Sequence, residues 1–272
     1  MTPARDTANF ERLIGALAPW LDQIVIVGGW AHHLYRLHPS GQALDYVPLS
    51  TLDTDIAMPR RLTGEEDIRE RLIGQGFVET PLGDSRPPAT HYHLANDDSG
   101  FYAEFLTPLT GSQLDRQQRP KATIRIGGVV SQQLRHIDLL LQHPWSIHMK
   151  AGGMQVPVRI ANPVSYMAQK ILIHGKRHRG GRAKDILYLH DTLDVFGSRL
   201  KELRDLWQHT LSPQLKRREA HTISRVADAL FVRVTDDIRR ATAISIERGL
   251  SPSGIQESCH YGLHRIFGST EL

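Results

Sequence analysis

The segment Asp53-Thr54-Asp55 opens an apolar run that continues from Ile56 to Met58. In a β-strand, residues i and i+2 point to the same face, so Asp53 and Asp55 should project together where this strand begins. Two adjacent carboxylates repel each other unless a cation neutralises them, and hard oxygen ligands favour Mg²⁺ or Mn²⁺. The pair therefore predicts a divalent metal site. The alternative interpretation is a solvated loop with two acidic residues.

A third carboxylate, Glu104, interrupts the apolar run from Phe101 to Leu106. An ionised carboxylate is rarely left unpaired among apolar neighbours, so Glu104 requires a cation, an arginine or exposure at the strand end. A metal shared with a neighbouring strand meets this requirement, and a solvent-facing position on an edge strand is the alternative. Asp138 is the second candidate for the third carboxylate, although its surroundings favour a helix.

Two glycines, Gly28 and Gly29, follow the β-branched run from Ile24 to Val27 and precede a helical pattern. Glycine lets the backbone N–H groups of such a turn come close to a ligand, and the positive end of the next helix attracts an anion. The junction is therefore suited to a phosphate. A tight turn that needs small residues explains the same pattern without any ligand.

The fifteen histidines raise the question of a zinc site. The pairs and runs that could supply ligands are His32-His33, His91-x-His93 and the stretch from His174 to His178. Without neighbouring cysteines, and without an H-E-x-x-H helix, none of these has a recognised set of zinc ligands. We interpret them as surface or packing residues.

Composition places the chain among globular proteins. Of its 272 residues, 40% are hydrophobic and 23% are charged, values that argue against disorder, collagen-like repeats and coiled coil. No apolar run approaches the roughly 20 residues of a membrane helix, and the first residues lack the apolar core of a signal peptide. The single cysteine, Cys259, cannot form an internal disulfide. These features predict a cytoplasmic protein with no membrane partner.

Charge is distributed unevenly along the chain. Residues 1–150 carry 14 basic and 17 acidic side chains, whereas residues 151–272 carry 19 and 12. The basic half contains a dense group in a glycine-rich stretch that we expect to be a turn between helices, made of Lys176, Arg177, Arg179, Arg182 and Lys184. Such a group is either a solvated linker or a surface that binds an anion such as nucleic acid, and we favour the second interpretation.

The periodicity of apolar residues predicts two parts. Helical and strand patterns alternate up to residue 160, which indicates an α/β (α+β) domain with a mixed sheet over residues 1–160. Within it, the capping pattern from Thr63 to Glu66 predicts a helix start, residues 129–141 favour a helix, and Gly152-Gly153 favours a hairpin turn. Nearly everything after Pro163 has helical period, which predicts an all-helical domain over residues 161–272.

Read in chain order, the motifs resemble the nucleotidyltransferase superfamily of DNA polymerase beta. The matching segments are V-G-G-W at 27–30, T-L-D-T-D-I at 51–56 and A-E-F-L at 103–106. Further segments, including P-V-S-Y-M-A-Q-K-I-L at 163–172 and R-A-K-D-I-L-Y-L at 182–189, look like bacterial AbiEii-like, MenT-like and related families. The resemblance covers roughly residues 20–195. It departs from the common pattern at the second glycine, often a serine, and at the third acid, Glu rather than Asp.

The resemblance implies transfer of a nucleoside monophosphate from an NTP to a hydroxyl, with Mg²⁺ or Mn²⁺ as cofactor. It implies that Asp53, Asp55 and Glu104 are catalytic and hold the metal, and that Gly28 and Gly29 seat the triphosphate. It also implies that a lysine, here Lys170, reaches the triphosphate, and a solvated helix lysine is the alternative. Asp185 would anchor that lysine or accept a proton, and capping of the helix that contains it is the alternative.

The acceptor predicted from the charge of the C-terminal half is RNA, with the 3′ end of tRNA as the most plausible target. Similar families include toxins of bacterial toxin–antitoxin and phage-defence systems, so an antitoxin protein is a further expected partner. Two alternatives stay open. One is a catalytically silent protein of the same fold that binds a nucleotide or nucleic acid, and the other is a transferase for small molecules such as aminoglycosides.

Overall fold

The computed structural model describes residues 4–49, 51–82, 89–112, 114, 117–118 and 122–268. The chain divides into two compact units. Residues 1–37 and 50–162 form the sheet unit, and residues 38–49 and 163–272 form the helical unit. A mixed sheet with short helices followed by a helical region confirms the predicted fold class. The domain boundary near residue 160 stays a prediction, and residues 38–49, which group with the helical unit, had no signal in the sequence that assigned them there.

Nine strands form one sheet in the described part of the sheet unit: β1 (Val25–Val27), β2 (Asp53–Ala57), β3 (Phe77–Leu82), β4 (Ala89–Leu94), β5 (Tyr102–Pro108), β6 (Thr123–Ile126), β7 (Val129–Leu134), β8 (Trp145–Ala151) and β9 (Met154–Ile160). Their order is β3-β4-β5-β2-β1-β9-β8, and β7 pairs with β5 and β6. The α-helices among the described residues of this unit are α1 (Ala4–Ala16), α2 (Gly28–Leu34), α3 (Ile68–Gly74) and α4 (Ile137–Leu140). The mixed order brings β2 between β1 and β5.

In the central strands of the sheet, fully buried and half-buried residues alternate with the two-residue period of a strand. In β2, Thr54 and Ile56 are fully buried, whereas Asp53 and Asp55 are half-buried. Strand β5 behaves in the same way, because Ala103 is fully buried beside the half-buried Glu104. Alternate residues of a strand face opposite sides of its sheet, so burying the apolar set leaves the acidic set on the other face.

Two sequence predictions in this unit were wrong. The helix predicted to start at Thr63 starts at Ile68, where the side chain of Asp67 accepts a hydrogen bond from the backbone N–H of Glu70 at 3.0 Å. The Thr63 hydroxyl instead donates to Gln23 Oε1 at 2.9 Å, so tertiary contact outweighs the local capping pattern. The start of the helix predicted over 129–141 is strand β7, where buried and half-buried residues alternate. Only its end, α4, is helical.

The predicted hairpin is confirmed. Strands β8 and β9 pair antiparallel, with Ala151 opposite Met154. The two residues between them, Gly152 and Gly153, have φ values of +57° and +81°. Glycine adopts such left-handed conformations without steric cost, which is why this pair forms a two-residue turn. Strand β9 then returns beside β1 in parallel orientation, so the hairpin extends the sheet.

The helical unit contains six α-helices in its described residues: α5 (Pro163–Ile173), α6 (Arg179–Phe196), α7 (Leu200–Leu206), α8 (Arg217–Leu230), α9 (Asp236–Ile244) and α10 (Pro252–Phe267). The segment 38–49 joins them through Gln42, whose backbone N–H donates to the carbonyl of Val195 at 2.9 Å. Among the helices that the structure describes, none is both long and apolar enough to cross a membrane.

The glycine-rich turn predicted for Lys176 to Lys184 is only partly a turn, because Lys176 and Arg177 lie between α5 and α6 whereas residues 179–184 form the first turns of α6. The side chain of His178 caps this helix, because its Nδ1 accepts from the backbone N–H of Gly181 at 3.2 Å. A side-chain cap of this kind satisfies one of the unpaired N–H groups at a helix start. It therefore offsets the poor helix propensity of the two glycines that follow.

Candidate active site

The pairing register of three strands assembles the acidic residues. Strands β2 and β5 are parallel, with Asp55 opposite Glu104 and Asp53 opposite Tyr102. Strand β1 runs antiparallel on the other side of β2, with Val27 opposite Asp55. Directly paired residues share a face of the sheet, so the three carboxylates lie on one face across two adjacent strands. Register places them together although about fifty residues separate Asp55 from Glu104 in the chain.

The glycines border this face. Gly28 follows β1 directly and has a φ of +63°, and a Cβ built there would collide with the carboxylate of Asp55. A Cβ on Gly29 would lie 2.6 Å from Thr51. Thr51 is itself part of the site, since its hydroxyl donates to Asp53 Oδ1. The backbone at Gly28 can therefore approach Asp55 only because it has no side chain, a role that goes beyond an ordinary turn.

The electrostatic field of the site is negative. Burial raises the pKa of Glu104 to about 7, and the charge of Asp53 adds to this shift. Burial also raises the pKa of the Tyr102 hydroxyl, and the charges of Asp53, Glu104 and Asp55 push it further in the same direction. Both pKa values rise, as expected where negative charges lie close together in a partly dehydrated site. A divalent cation would reverse this field, so the residues present fit the metal that the family resemblance implies.

Sequence reasoning missed one member of the site. His91, on β4, places its Nε2 2.5 Å from Oε1 of Glu104, and its ring stacks on Tyr102 with centroids 3.8 Å apart. His91 was expected to be a surface or packing residue because it belongs to no recognised set of zinc ligands. Its contact with Glu104 depends on the register of β4 against β5. The H-x-H spacing was the available signal, since it places His91 and His93 on the same face of a strand.

Lys170 and Asp185 form a buried ion pair in the helical unit. Nζ of Lys170 lies 2.8 Å from Oδ1 of Asp185, whose side chain is fully buried. The rings of Tyr166 and Tyr188 lie about 5 Å from the ammonium group. Asp185 thus contacts Lys170 from the second turn of α6, and His178 supplies the helix cap that was the alternative role for Asp185. Binding of triphosphate by Lys170 stays a prediction.

The five basic residues expected to bind an anion differ in their contacts. Arg177 lies 3.1 Å from Asp185, and Arg182 lies 2.9 Å from Asp237, so these two guanidinium groups pair within the unit. The others, Lys176, Arg179 and Lys184, are exposed, and the described part of the chain gives them no ion pair. They are therefore the members of the group whose charge is most open to solvent.

Asp138 lies on the short helix α4 and is exposed. Strand pairing places Glu104 directly opposite Asp55. Asp138 has no such pairing, because α4 is a helix and not a strand of the sheet. An exposed carboxylate needs no cation to offset burial. Among the two candidates for the third carboxylate, Glu104 thus has the more direct geometric support.

The helical unit contains a second acidic group, formed by His190, Asp191 and Asp194. Their potential ligand atoms lie within 4.8 Å of one another, a spacing that could hold a metal ion. Arg248, however, donates to both oxygens of the buried Asp191, at 2.9 and 2.7 Å. The hydroxyl of Tyr46 donates to Asp194 at 2.9 Å. A bidentate arginine already neutralises Asp191, so an entering cation would have to displace it.

The family model described as nucleotidyltransferase matches residues 5–212. This span includes the three carboxylates, the two glycines, Lys170 and Asp185, and it ends before α8. The chain belongs to this nucleotidyltransferase family, and transfer of a nucleoside monophosphate is the activity characteristic of such proteins. Neither among curated proteins nor among solved structures does the chain have a match. The narrower resemblance to AbiEii-like and MenT-like proteins stays a prediction.

Proposed function

We propose that the protein is a metal-dependent nucleotidyltransferase that transfers a nucleoside monophosphate from an NTP to a hydroxyl group of RNA, with the 3′ end of tRNA as the target. The observation that carries the catalytic part is the pairing of Asp55 with Glu104 in register, beside a glycine whose missing side chain leaves room for the Asp55 carboxylate. Family membership supports the same reaction class.

In this reaction the oxygen of the acceptor hydroxyl forms a bond to the α-phosphorus, and the bond from that phosphorus to the pyrophosphate oxygen breaks. Asp53, Asp55 and Glu104 would hold Mg²⁺ or Mn²⁺, which supplies neutralisation of phosphate charge and a lower pKa for the attacking hydroxyl. Thr51 fixes one oxygen of Asp53, and the strand register fixes Asp55 beside Glu104. The contribution of the chain is therefore mainly positioning.

The proposed acceptor rests on charge. The excess of basic residues after residue 150 and the exposed side chains of Lys176, Arg179 and Lys184 favour a polyanion over a small cationic acceptor such as an aminoglycoside. A role as the toxin of a toxin–antitoxin or phage-defence pair, with an antitoxin as protein partner, belongs to the same proposal and follows from the resemblance to such families.

The test of activity incubates the full chain with each α-labelled NTP, Mg²⁺ and total cellular RNA, and resolves the products by size. We expect label in RNA of tRNA length and release of pyrophosphate, both lost in Asp53→Asn and Asp55→Asn. Equal background in the wild type and both variants would favour the silent protein. Pyrophosphate release with an aminoglycoside, and none with RNA, would favour a small-molecule acceptor.

The test of RNA binding replaces Lys176, Arg179 and Lys184 together by Gln. We expect weaker binding and a flatter slope of the logarithm of the binding constant against the logarithm of the salt concentration. Each lost phosphate contact should reduce this slope by about 0.7 for single strands, so the total change should be up to about 2. The control replaces three exposed cations of the sheet unit, Arg61, Arg135 and Lys150, and so changes net charge equally. An identical loss in both triple variants would mean that these helical cations form no specific RNA surface.

A further inference from the structure

The contact between His91 and Glu104 has the form of an outer-sphere interaction around a metal ligand. Strand β4 pairs antiparallel with β5, with Tyr92 opposite Ala103 and His93 opposite Tyr102. The same register continued by one residue places His91 opposite Glu104, on the face that carries the carboxylates. The distance of 2.5 Å between Nε2 and Oε1 shows that the two side chains meet across the strands.

The imidazole is itself held in place. Its ring stacks on Tyr102 at an interplanar angle of 14°, and Tyr102 lies two residues before Glu104 on the same strand. The side chain of His91 is 23% exposed and that of Glu104 is 19% exposed, so both lie at the border of the sheet face rather than in solvent. A ring fixed by stacking and by a strand ladder presents its nitrogen in one direction.

The longer side chain of Glu104 needs a restraint, which His91 can provide. Glu has one more rotatable bond than Asp, so its carboxylate samples more positions and would place a shared ion less exactly. When Glu104 is ionised, the close approach of His91 Nε2 to Oε1 restricts the carboxylate and leaves Oε2 for a ligand. Metal-binding carboxylates are commonly held by a neighbouring polar side chain, and loss of the partner costs about 10- to 100-fold in metal affinity.

We propose that His91 is a positioning residue, which orients Glu104 so that its second oxygen joins Asp53 and Asp55 in binding the divalent ion. The proposal rests on the proposed function of the three carboxylates. It assigns to His91 the task of restraining the longer side chain that this protein has in place of aspartate. His91 acts through Glu104 and does not bind the metal itself.

The test measures the affinity of the full chain for Mn²⁺ by electron paramagnetic resonance, without any substrate. We expect His91→Leu to weaken Mn²⁺ binding by about 10- to 100-fold. His91→Gln should recover affinity to within a few-fold of wild type, because its amide N–H can replace the imidazole donor. The matched control is His93→Leu on the same face of β4, whose ring contacts Thr80 rather than a carboxylate. This control should bind Mn²⁺ as wild type does.

A double variant separates positioning from direct ligation. In a Glu104→Gln background, the further change His91→Leu should have no additional effect on Mn²⁺ affinity, because His91 acts only through Glu104. Additive losses would instead mean that His91 is a ligand, and would overturn the proposal. It is also overturned if His91→Leu binds like wild type, if His91→Gln binds as weakly as His91→Leu, or if His93→Leu shows the same loss.

The same titration distinguishes failure of this inference from failure of the proposed function. If wild type binds Mn²⁺ and Asp55→Asn does not, while His91→Leu equals wild type, only the role of His91 is wrong. If wild type binds no more Mn²⁺ than Asp55→Asn, the metal site fails and the role of His91 fails with it. Thermal unfolding of each variant shows whether it is folded. If His91→Leu does not fold, His91→Gln is the variant that tests the role of His91.

Discussion

The two acidic groups of this protein differ in what neutralises them. In the helical unit, Asp191 accepts two hydrogen bonds from Arg248, and Asp185 contacts both Lys170 and Arg177. In the sheet unit, burial raises the pKa of Glu104, and the charge of Asp53 adds to this shift. Buried carboxylates that have their own cations are structural, whereas we propose that the carboxylates of the sheet unit bind a cation from outside.

Spacing alone would have selected the other group. His190, Asp191 and Asp194 fulfil the distance requirement for a metal ligand set. The carboxylates of the sheet unit fulfil a chemical requirement instead, since they combine oxygen donors, a negative field and a glycine beside them. The comparison therefore predicts opposite responses when a charge is removed from each group.

The largest effect should follow removal of a charge in the sheet unit. Asp55→Asn should lower the turnover measured as pyrophosphate release by about 10³-fold or more, because the divalent ion loses a ligand. The free energy of unfolding without metal should change by no more than about 1 kcal/mol, because Asn keeps the shape of the half-buried Asp55 side chain and can still accept hydrogen bonds. Urea titration checks this second expectation. A clear loss of stability in Asp55→Asn would mean that Asp55 has a structural role like that of Asp191.

Removal of a charge in the helical unit should affect stability instead. Arg248→Met should lower the free energy of unfolding by about 3–5 kcal/mol, because it removes the bidentate guanidinium from the fully buried Asp191, which His190 alone does not replace. The matched control is Arg239→Met, whose partner Asp236 is exposed, and its effect should be below about 1 kcal/mol. Similar urea midpoints for both variants would contradict a structural role for the Arg248–Asp191 pair.

A methyl group at Gly28 should separate backbone strain from damage to the site. Gly28 and Gly152 both have φ near +60°, but a Cβ at Gly28 meets Asp55, whereas a Cβ at Gly152 has open space. Replacement by Ala should cost about 1–2 kcal/mol of stability at each position. Only Gly28→Ala should also lose pyrophosphate release. Full activity in Gly28→Ala would remove this glycine from the site.

Lowering the pH should produce the smallest of these changes in stability. Burial, with a contribution from Arg36, lowers the pKa of His33 to about 4. The unfolded chain, with a histidine pKa near 6.5, then binds more protons than the folded chain, so stability falls as the pH drops through this window. Between pH 7 and 5.5 His33 should account for about 1 kcal/mol. We expect His33→Gln to show a correspondingly smaller change in urea midpoint, and an unchanged pH dependence would contradict the assignment.

The main residues of the candidate site could be predicted because each belongs to a recognisable local pattern in the sequence. The two-residue spacing of Asp53 and Asp55 places them on one face of any strand, and an acid among apolar residues marks Glu104. Pairing of Asp55 with Glu104 is different, since it depends on the register of two strands distant in sequence. The family resemblance supplied that connection, which periodicity alone could not.

The remaining features depend on tertiary contacts without a local signal. His91 becomes part of the site only through the register of β4 against β5. Arg248 meets Asp191 across 57 residues. Segment 38–49 joins the helical unit through hydrogen bonds of Gln42 and Tyr46 and through the packing of Arg248 on the Tyr46 ring. Residues 129–134 contain apolar positions compatible with both helix and strand, and pairing with β5 and β6 decided the outcome. Local pattern is a weak guide where partners are distant.

The most direct test of the central claim is calorimetric titration of the full chain with Mn²⁺, in the wild type, in Asp55→Asn and in Asp194→Asn. Asp194 is partly exposed, and Asn can still accept the hydrogen bond from Tyr46, so this variant should remain folded. Asp194→Asn should bind Mn²⁺ as wild type does, and Asp55→Asn should lose this binding. Binding that survives Asp55→Asn and disappears in Asp194→Asn would place the metal in the helical unit and contradict a metal site in the sheet unit.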